Sequence, residues 1–339
     1  MIKKGFWKKL ENRKKPILVA APMANVTDAA FRRMMAKHGK PDVIFTEFVS
    51  CEGLCSRGKT NLMRDLLFHR SERPIVAQLW GVTPEYFYTC AKLIAKLGFD
   101  GIDINMGCPD KSVEKMGAGA QLMLNPRLAK KIIDATKRGA GRLPVSVKTR
   151  IGYDKINTRQ WISHLLKARP AAIIIHGRTR KEMLYAPVHW DEIAKAAVLA
   201  KKYGTRTSRT LIIGNGDIKD PVEAKEKART YGLDGVMVGR ALIGNPWFFN
   251  AKKPAGGIPN EEKIRVMLEH TALFNMLFHP DLPKGPSWKH FDTMKKHYKA
   301  YISGFPGASK VRAKLMEAKN ADEVALIVKG LTKRQRTAA

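Results

Sequence analysis

The stretch with the clearest chemical character is INMGCPDKSVEKMGAGAQLM, Ile104 to Met123. It sets one thiol, Cys108, between Gly107 and Pro109, three residues after the amide of Asn105 and ahead of the glycine-rich run Gly117 to Ala120. A thiol in that position could act as a nucleophile or a proton donor, or it could be an inert buried group. With an ordinary pKa of about 8.5 it stays protonated near neutral pH yet can release its proton, which suits a general acid. No base is evident beside it in the sequence.

Other groups with chemical potential stand near the ends of short apolar runs. GNGDI and VGRALIGNPW place Gly216 and Gly239 at turns where backbone N–H groups can approach a phosphate closely, with Asn215, Asp217 and Arg240 alongside. Lys148 and His176 add positive charge or hydrogen-bond donors. Gln78 and Asn105 each offer a donor and an acceptor, the pattern that matches the amide-like edge of a flavin or a pyrimidine.

These residues need a scaffold that brings them to one place. Eight short β-branched or apolar runs recur, at 17–23, 43–48, 75–81, 101–107, 145–151, 172–178, 210–217 and 235–240. Segments of helical periodicity lie between most of them, such as TPEYFYTCAKLIAKLG, PRLAKKIIDATKRG and DPVEAKEKARTYG, each closing on a glycine that reads as a helix C-terminus. Strand alternating with helix eight times predicts an α/β fold, a (β/α)8 TIM barrel. A doubly wound sheet is disfavoured because no G-x-G-x-x-G follows the first run. Functional side chains of such barrels sit at the strand C-termini, and seven of the eight runs end that way: Met23 and Ala24, Gln78, Asn105 and Cys108, Lys148 and Arg150, His176 and Arg178, Asn215 and Asp217, Gly239 and Arg240.

The barrel is expected to occupy residues 1–250 and a small helical domain residues 251–339, joined through the Pro-, Gly- and Lys-rich AKKPAGGIPN. In KHFDTMKKHYKAYISGF, Phe291, Met294, Tyr298 and Tyr301 fall on one helical stripe and Lys295, Lys296 and Lys299 elsewhere. Asn320 and Glu323 have capping-box spacing, and the tail KRQRTAA is expected to fray.

Composition narrows the partners. The 339 residues carry a formal net charge of +32, a field that attracts polyanions, and nucleic acid is the natural one. From Ala251 onward there are 17 Lys and Arg against 8 Asp and Glu, so both halves are basic and charge alone does not locate the binding surface. No apolar run is long enough to span a bilayer, and the basic MIKKGFWKKLENRKKP is not followed by a signal-peptide core. Four irregularly spaced cysteines, Cys51, Cys55, Cys90 and Cys108, suggest a reducing, cytoplasmic compartment rather than a disulfide framework, and Cys51 with Cys55 lacks zinc-site spacing. The expectation is a monomer without metal or membrane attachment.

The phrases APMANVTDAAFR, AQLWG, GIDINMGCPDKSVEKMGAGAQLM, VSVKTRIGY, IHGRTR, IGNGDI, VMVGRALIGNPWFF and KKHYKAYISGFPGA, in this order, resemble the tRNA-dihydrouridine synthase family over roughly Pro16 to Gly307. The resemblance implies an FMN-dependent barrel with a helical tRNA-binding domain, reducing the C5=C6 bond of particular uridines in tRNA with NADPH as reductant. Residue by residue, it makes Cys108 the general acid and Asn105 a holder of the target base. Pro22, Met23, Ala24, Gln78, Lys148, His176, Asn215, Gly216, Asp217, Gly239 and Arg240 would surround FMN, the last five near its phosphate. Arg178, Arg180 and Tyr185 would contact the substrate nucleotide or its backbone, and the GAGA loop is expected to close only when tRNA is present. Two other readings fit parts of the pattern: an FMN barrel acting on a free pyrimidine, which the large basic charge disfavours, and a tRNA-binding relative without catalysis, which the joint presence of Cys108, Lys148 and His176 disfavours.

Overall fold

Apolar runs bounded by turn residues become eight strands: β1 (Ile17–Ala20), β2 (Val43–Ser50), β3 (Ile75–Trp80), β4 (Gly101–Met106), β5 (Val145–Arg150), β6 (Ala172–His176), β7 (Leu211–Asn215) and β8 (Gly235–Val238). The structure is a computed structural model describing residues 2, 4–205, 209–253, 257–278 and 289–336. Every neighbouring pair is parallel, and β8 pairs back onto β1 through Ile17↔Gly235 to Ala20↔Val238, so the sheet closes into the expected barrel. Parallel strands require long crossovers, and here most of the crossovers contain helices that cover the outer face. Several strands are shorter than their apolar runs: β6 stops at His176 and β7 at Asn215. Arg178 and Asp217 therefore stand in loops at the barrel mouth.

The crossover helices start where their sequences signal it. Proline opens Pro84–Lys96, Pro126–Gly139 and Pro221–Thr230, where its missing N–H costs nothing. Asp220 caps the third through the N–H groups of Val222 and Glu223, and Asn125 caps the second through that of Leu128. Gly139 departs from the expected terminator role. It lies inside its helix, and a Cβ there would meet the Tyr88 carbonyl oxygen at 2.2 Å, so the glycine serves close helix packing while the left-handed residue is Gly141.

Inside the barrel, Val43, Phe45, Val76, Ile174, Ile213 and Met237 form a core that the N-terminal helix Phe6–Asn12 extends with Trp7 and Leu10. A second core lies between the strands and the outer helices. Among the described residues no helix is long and apolar enough to cross a membrane.

Among the described residues, four helices follow the barrel: Asn260–Phe278, Asp292–Tyr301, Ala308–Glu317 and Ala321–Arg336. The expected stripe forms: Met294, Tyr298 and Tyr301 are buried, Phe291 precedes the helix, and Lys296 and Lys299 are exposed. His297 joins the buried side and packs on Phe31 of the barrel helix Ala29–His38, ring centres 4.5 Å apart, while its Nδ1 accepts the Gly244 N–H at 3.0 Å. Lys289 anchors the same interface through Glu47 and, at 2.8 Å, Asp65. Asn320 accepts the Glu323 N–H at 2.9 Å, as the capping spacing predicts, although the Glu323 carboxylate takes the Lys319 N–H instead of that of Asn320. The backbone helix continues to Arg336, and residues 337–339 lie outside the described residues, as do 254–256 of AKKPAGGIPN.

Candidate active site

At the C-terminal ends of the strands the barrel opens into a cavity of about 580 Å³. Pro22, Met23, Lys148, His176, Asn215, Gly216, Asp217, Gly239 and Arg240 line it together with Leu184, Ile218 and Lys219, which the sequence did not single out. Ala24 is exposed and Gln78 wholly buried, and neither lines the cavity. The Pro22–Met23 turn is held by buried Thr27, whose Oγ1 accepts the Met23 N–H at 2.9 Å, and by Glu47, which accepts the Asn25 N–H at 2.6 Å.

One end of the cavity suits a phosphate. Asp217, left-handed at φ 41°, lies between two guanidinium groups, those of Arg178 and Arg240. Arg178 is buried and also donates through Nε to the Ala186 carbonyl at 2.5 Å. Arg178 hydrogen bonding holds the Asp217 carboxyl below its ordinary pKa, so the trio carries one net positive charge. Among the described residues, the N–H groups of Gly216, Gly239 and Arg240 find no acceptor in the protein. At Gly216, φ 146°, a Cβ would strike Val188 at 2.7 Å, so the backbone stays bare there. Unpaired N–H groups, a bare backbone and surplus positive charge are the donor set a bound phosphate requires. These residues fit an FMN phosphate.

Lys148 and His176 face the cavity from β5 and β6. Burial pulls the Lys148 pKa down to about 8, with Arg150 adding repulsion, so the ammonium is still largely charged at neutral pH. His176 is driven well below its ordinary pKa, first by burial and then by Arg150 and Lys148, and is neutral. The pair thus offers one cation and one uncharged ring.

The loop bearing Cys108 is anchored from several sides. Asn105 Oδ1 accepts the N–H groups of Gly107 at 3.1 Å and Cys108 at 2.9 Å, and its Nδ2 donates to Gln78 Oε1 at 3.1 Å. Gln78 Nε2 in turn donates to Asp103 at 2.7 Å. Arg150 spans the other side, from the Gly107 carbonyl at 2.8 Å to that of Thr179 at 2.9 Å. Burial raises the Cys108 pKa and the Asp110 carboxylate adds to the rise, while the Asp110 N–H, Lys148 and Arg150 act to lower it; the net direction is up, so the thiol is protonated.

The glycine-rich run packs back against the Cys108 loop. Ala118 and Ala120 are fully buried, and the Ala120 N–H returns to the Cys108 carbonyl at 3.0 Å. Glu114, on the helix Lys111–Lys115, forms a two-point ion pair with Arg180. Arg180 also lies 5.4 Å over the Tyr153 ring, whose hydroxyl takes a hydrogen bond from Gln121 at 3.0 Å.

The residues read as substrate contacts therefore occupy different settings. Asn105 has its oxygen committed to the Cys108 loop, Arg178 is enclosed beside Asp217, and Arg180 is paired with Glu114. Tyr185 is 93% exposed at the tip of the loop after β6. Asp103 escaped the sequence reading, yet a carboxyl in the middle of the apolar run GIDINMG was a visible signal, because a charge in a barrel strand must be satisfied internally.

Residues 18–336 match the family model described as dihydrouridine synthase (Dus). A "Probable tRNA-dihydrouridine synthase" of Staphylococcus aureus (strain COL) is 39% identical over 324 residues, 95% of this chain and 94% of that one. A "Probable tRNA-dihydrouridine synthase 2" of Bacillus subtilis (strain 168) is 38% identical over 322 residues, 94% of each chain. Among solved structures, the old yellow enzyme homologue from Zymomonas mobilis superposes with a TM-score of 0.47 at 14% identity, over 69% of this chain and 86% of that one. The family model spans nearly the whole chain, the cavity and the Cys108 loop included: the chain belongs to the dihydrouridine synthase family.

Proposed function

We propose that this protein is a flavin-dependent tRNA-dihydrouridine synthase that reduces the C5=C6 bond of particular uridines in tRNA, with Cys108 as the proton donor and NADPH as the reductant. The observation that carries the reading is a protonated thiol, held by Asn105 and Arg150, at the same barrel mouth as a cavity with a phosphate-binding end. Pro22, Met23, Lys148 and His176 would hold the ring-bearing part of FMN, and Asn215, Gly216, Asp217, Gly239 and Arg240 its phosphate. Bound there, the flavin supplies the hydride that one carbon of the double bond accepts.

The chain's own residues account for the other half of the reaction. Saturating the double bond takes one proton for each hydride, and the Cys108 Sγ–H delivers it to C5. Burial keeps that proton on the sulfur until it is needed. Once it leaves, the thiolate is stabilised by the Asp110 N–H and by the field of Lys148 and Arg150, against the opposing Asp110 carboxylate. Solvent then restores the proton.

A uracil inside folded tRNA must be unstacked to enter the mouth, at a cost of a few kcal/mol that phosphate contacts can offset. The net charge of +32 supplies the attraction, residues 1–250 the chemistry and residues 251–339 the further RNA-binding surface. Arg180 and Tyr185 are assigned to the nucleotide and its flanking backbone; Asn105, bonded at both ends of its amide, serves the Cys108 loop, and Arg178, buried beside Asp217, serves the phosphate end. For Arg180 this requires RNA to compete with Glu114. Incubating the purified protein with NADPH and tRNA lacking dihydrouridine, then mapping reduced positions by mass spectrometry, tests the reading. Site-specific gain of two hydrogens on uridine is expected. Turnover of free uracil in its place, or no product from flavin-loaded protein, would overturn it.

A further inference from the structure

We infer that Asp103 is a positioning residue that orients the Cys108 loop through the side-chain amides of Gln78 and Asn105. The importance of that loop rests on the proposed reaction, but the chain of hydrogen bonds stands on geometry alone. It begins at the carboxyl of Asp103 in β4, runs through Gln78 in β3 and Asn105 at the end of β4, and finishes on the N–H groups of Gly107 and Cys108.

The two ends dictate the polarity of everything between them. At one end a backbone N–H can only donate, and at the other the Asp103 carboxylate, in its ionised form, can only accept from Gln78. Each intervening amide has one donor end and one acceptor end. With Gln78 Nε2 on Asp103 at 2.7 Å, Oε1 must face Asn105, which answers with Nδ2 at 3.1 Å. Asn105 Oδ1 is thereby turned toward Gly107 and Cys108, the orientation their N–H groups require. Rotating either amide by half a turn sets like groups face to face.

No solvent softens that choice. Asp103 and Gln78 are completely buried and Asn105 is 5% exposed, and an unmet polar group at such depth pays its full desolvation penalty. Ser146 Oγ fixes the carboxyl from β5 at 2.6 Å, so the acceptor cannot swing away. Burial pushes the Asp103 pKa up to about 7 against the pull of Ser146, Gln78 and Lys148, which makes the carboxyl a costly filler for a barrel core. A residue that served packing alone would leave the position of Cys108 indifferent to its acceptor oxygen.

The test compares Asp103→Ala with Asp103→Asn in the full-length purified protein. Asparagine keeps an acceptor toward Gln78, and its amide can donate to Ser146, whose hydroxyl then turns to the Ile102 carbonyl 3.4 Å away. The first readout is site-resolved alkylation by iodoacetamide, which needs no turnover and therefore separates failure of the relay from failure of the proposed reaction. The alanine variant is expected to change the Cys108 rate at least fivefold while buried Cys90 stays protected. The asparagine variant should stay within twofold of wild type. The second readout is turnover: kcat should fall at least tenfold in the alanine variant with KM for tRNA within about twofold, and return with asparagine. An unchanged Cys108 rate in the alanine variant, or an asparagine variant as perturbed as alanine, overturns the proposal. Should the alanine variant fail to fold, Gln78→Met breaks the next link and must produce the same change at Cys108; a folded Gln78→Met protein with a wild-type Cys108 rate overturns it equally.

Discussion

Replacing Lys148 with methionine should make the flavin-free protein more stable while weakening its hold on flavin. In the fold the Lys148 pKa drops from 10.5 to about 8, chiefly through burial. At about 1.4 kcal/mol per unit, the charged form carries a penalty of roughly 3 kcal/mol, an upper bound because the side chain reaches an open cavity. Solvent screening there reduces it to about 1–2 kcal/mol. Methionine has similar length and no charge, so at pH 7 the variant should gain that amount, which raises Tm by roughly 1.5–3 °C. The pH dependence gives an independent check. Between pH 8 and 10.5 the unfolded chain binds a proton that the folded one has lost, so wild-type stability receives a rising contribution across that window. The variant should lack this contribution. Thermal unfolding of flavin-free protein at pH 7 and 9.5 reads both effects, and flavin titration reads the functional loss. A variant no more stable than wild type at pH 7, with the same slope toward pH 9.5, would refute the burden assigned to this ammonium.

Two further expectations concern the surrounding charges. Asp217→Asn keeps a residue type that tolerates left-handed backbone but leaves buried Arg178 without its counter-charge. With the Asp217 side chain 40% exposed, the loss should be about 1 kcal/mol in urea unfolding at pH 7. Because the Asp217 pKa is depressed, the contribution is present above the ordinary carboxylate pKa and fades as pH falls, so the two proteins should converge in acid. At the interface with the C-terminal helices, burial lowers His297 to about 3 from 6.5, and its stabilising contribution is lost as pH falls from 6.5 toward 3. His297→Gln, which retains an acceptor for the Gly244 N–H, should flatten part of that acid loss in thermal unfolding, and superimposable curves would refute the assignment. His270, also held well below its ordinary pKa by burial, accounts for a residual slope.

The legible and illegible parts of the sequence divide along a physical line. Strands announce themselves because parallel barrel strands are buried on both faces, so VIFTEF or AIIIHGR reads as a short apolar run whose polar end marks the mouth. Lys148, His176, Asn215 and Arg240 were accessible in this way. Pairings between loops were not. Arg178 meets Asp217 across 39 residues, and Glu114 meets Arg180 across 66, distances at which no local pattern speaks. The family resemblance made Asn105 a holder of the target base, and only the fold reveals its oxygen turned to Cys108. Gly139 was read as a terminator, since close contact with the Tyr88 carbonyl belongs to a different helix.

A single-turnover comparison of wild type and Cys108→Ala, each loaded with reduced flavin and mixed with tRNA lacking dihydrouridine, bears most directly on the role given to the thiol. The account predicts flavin content and tRNA affinity within about twofold and dihydrouridine formation slowed roughly a hundredfold or more, the scale of a lost general acid. An alanine variant forming product within about threefold of the wild-type rate would contradict it.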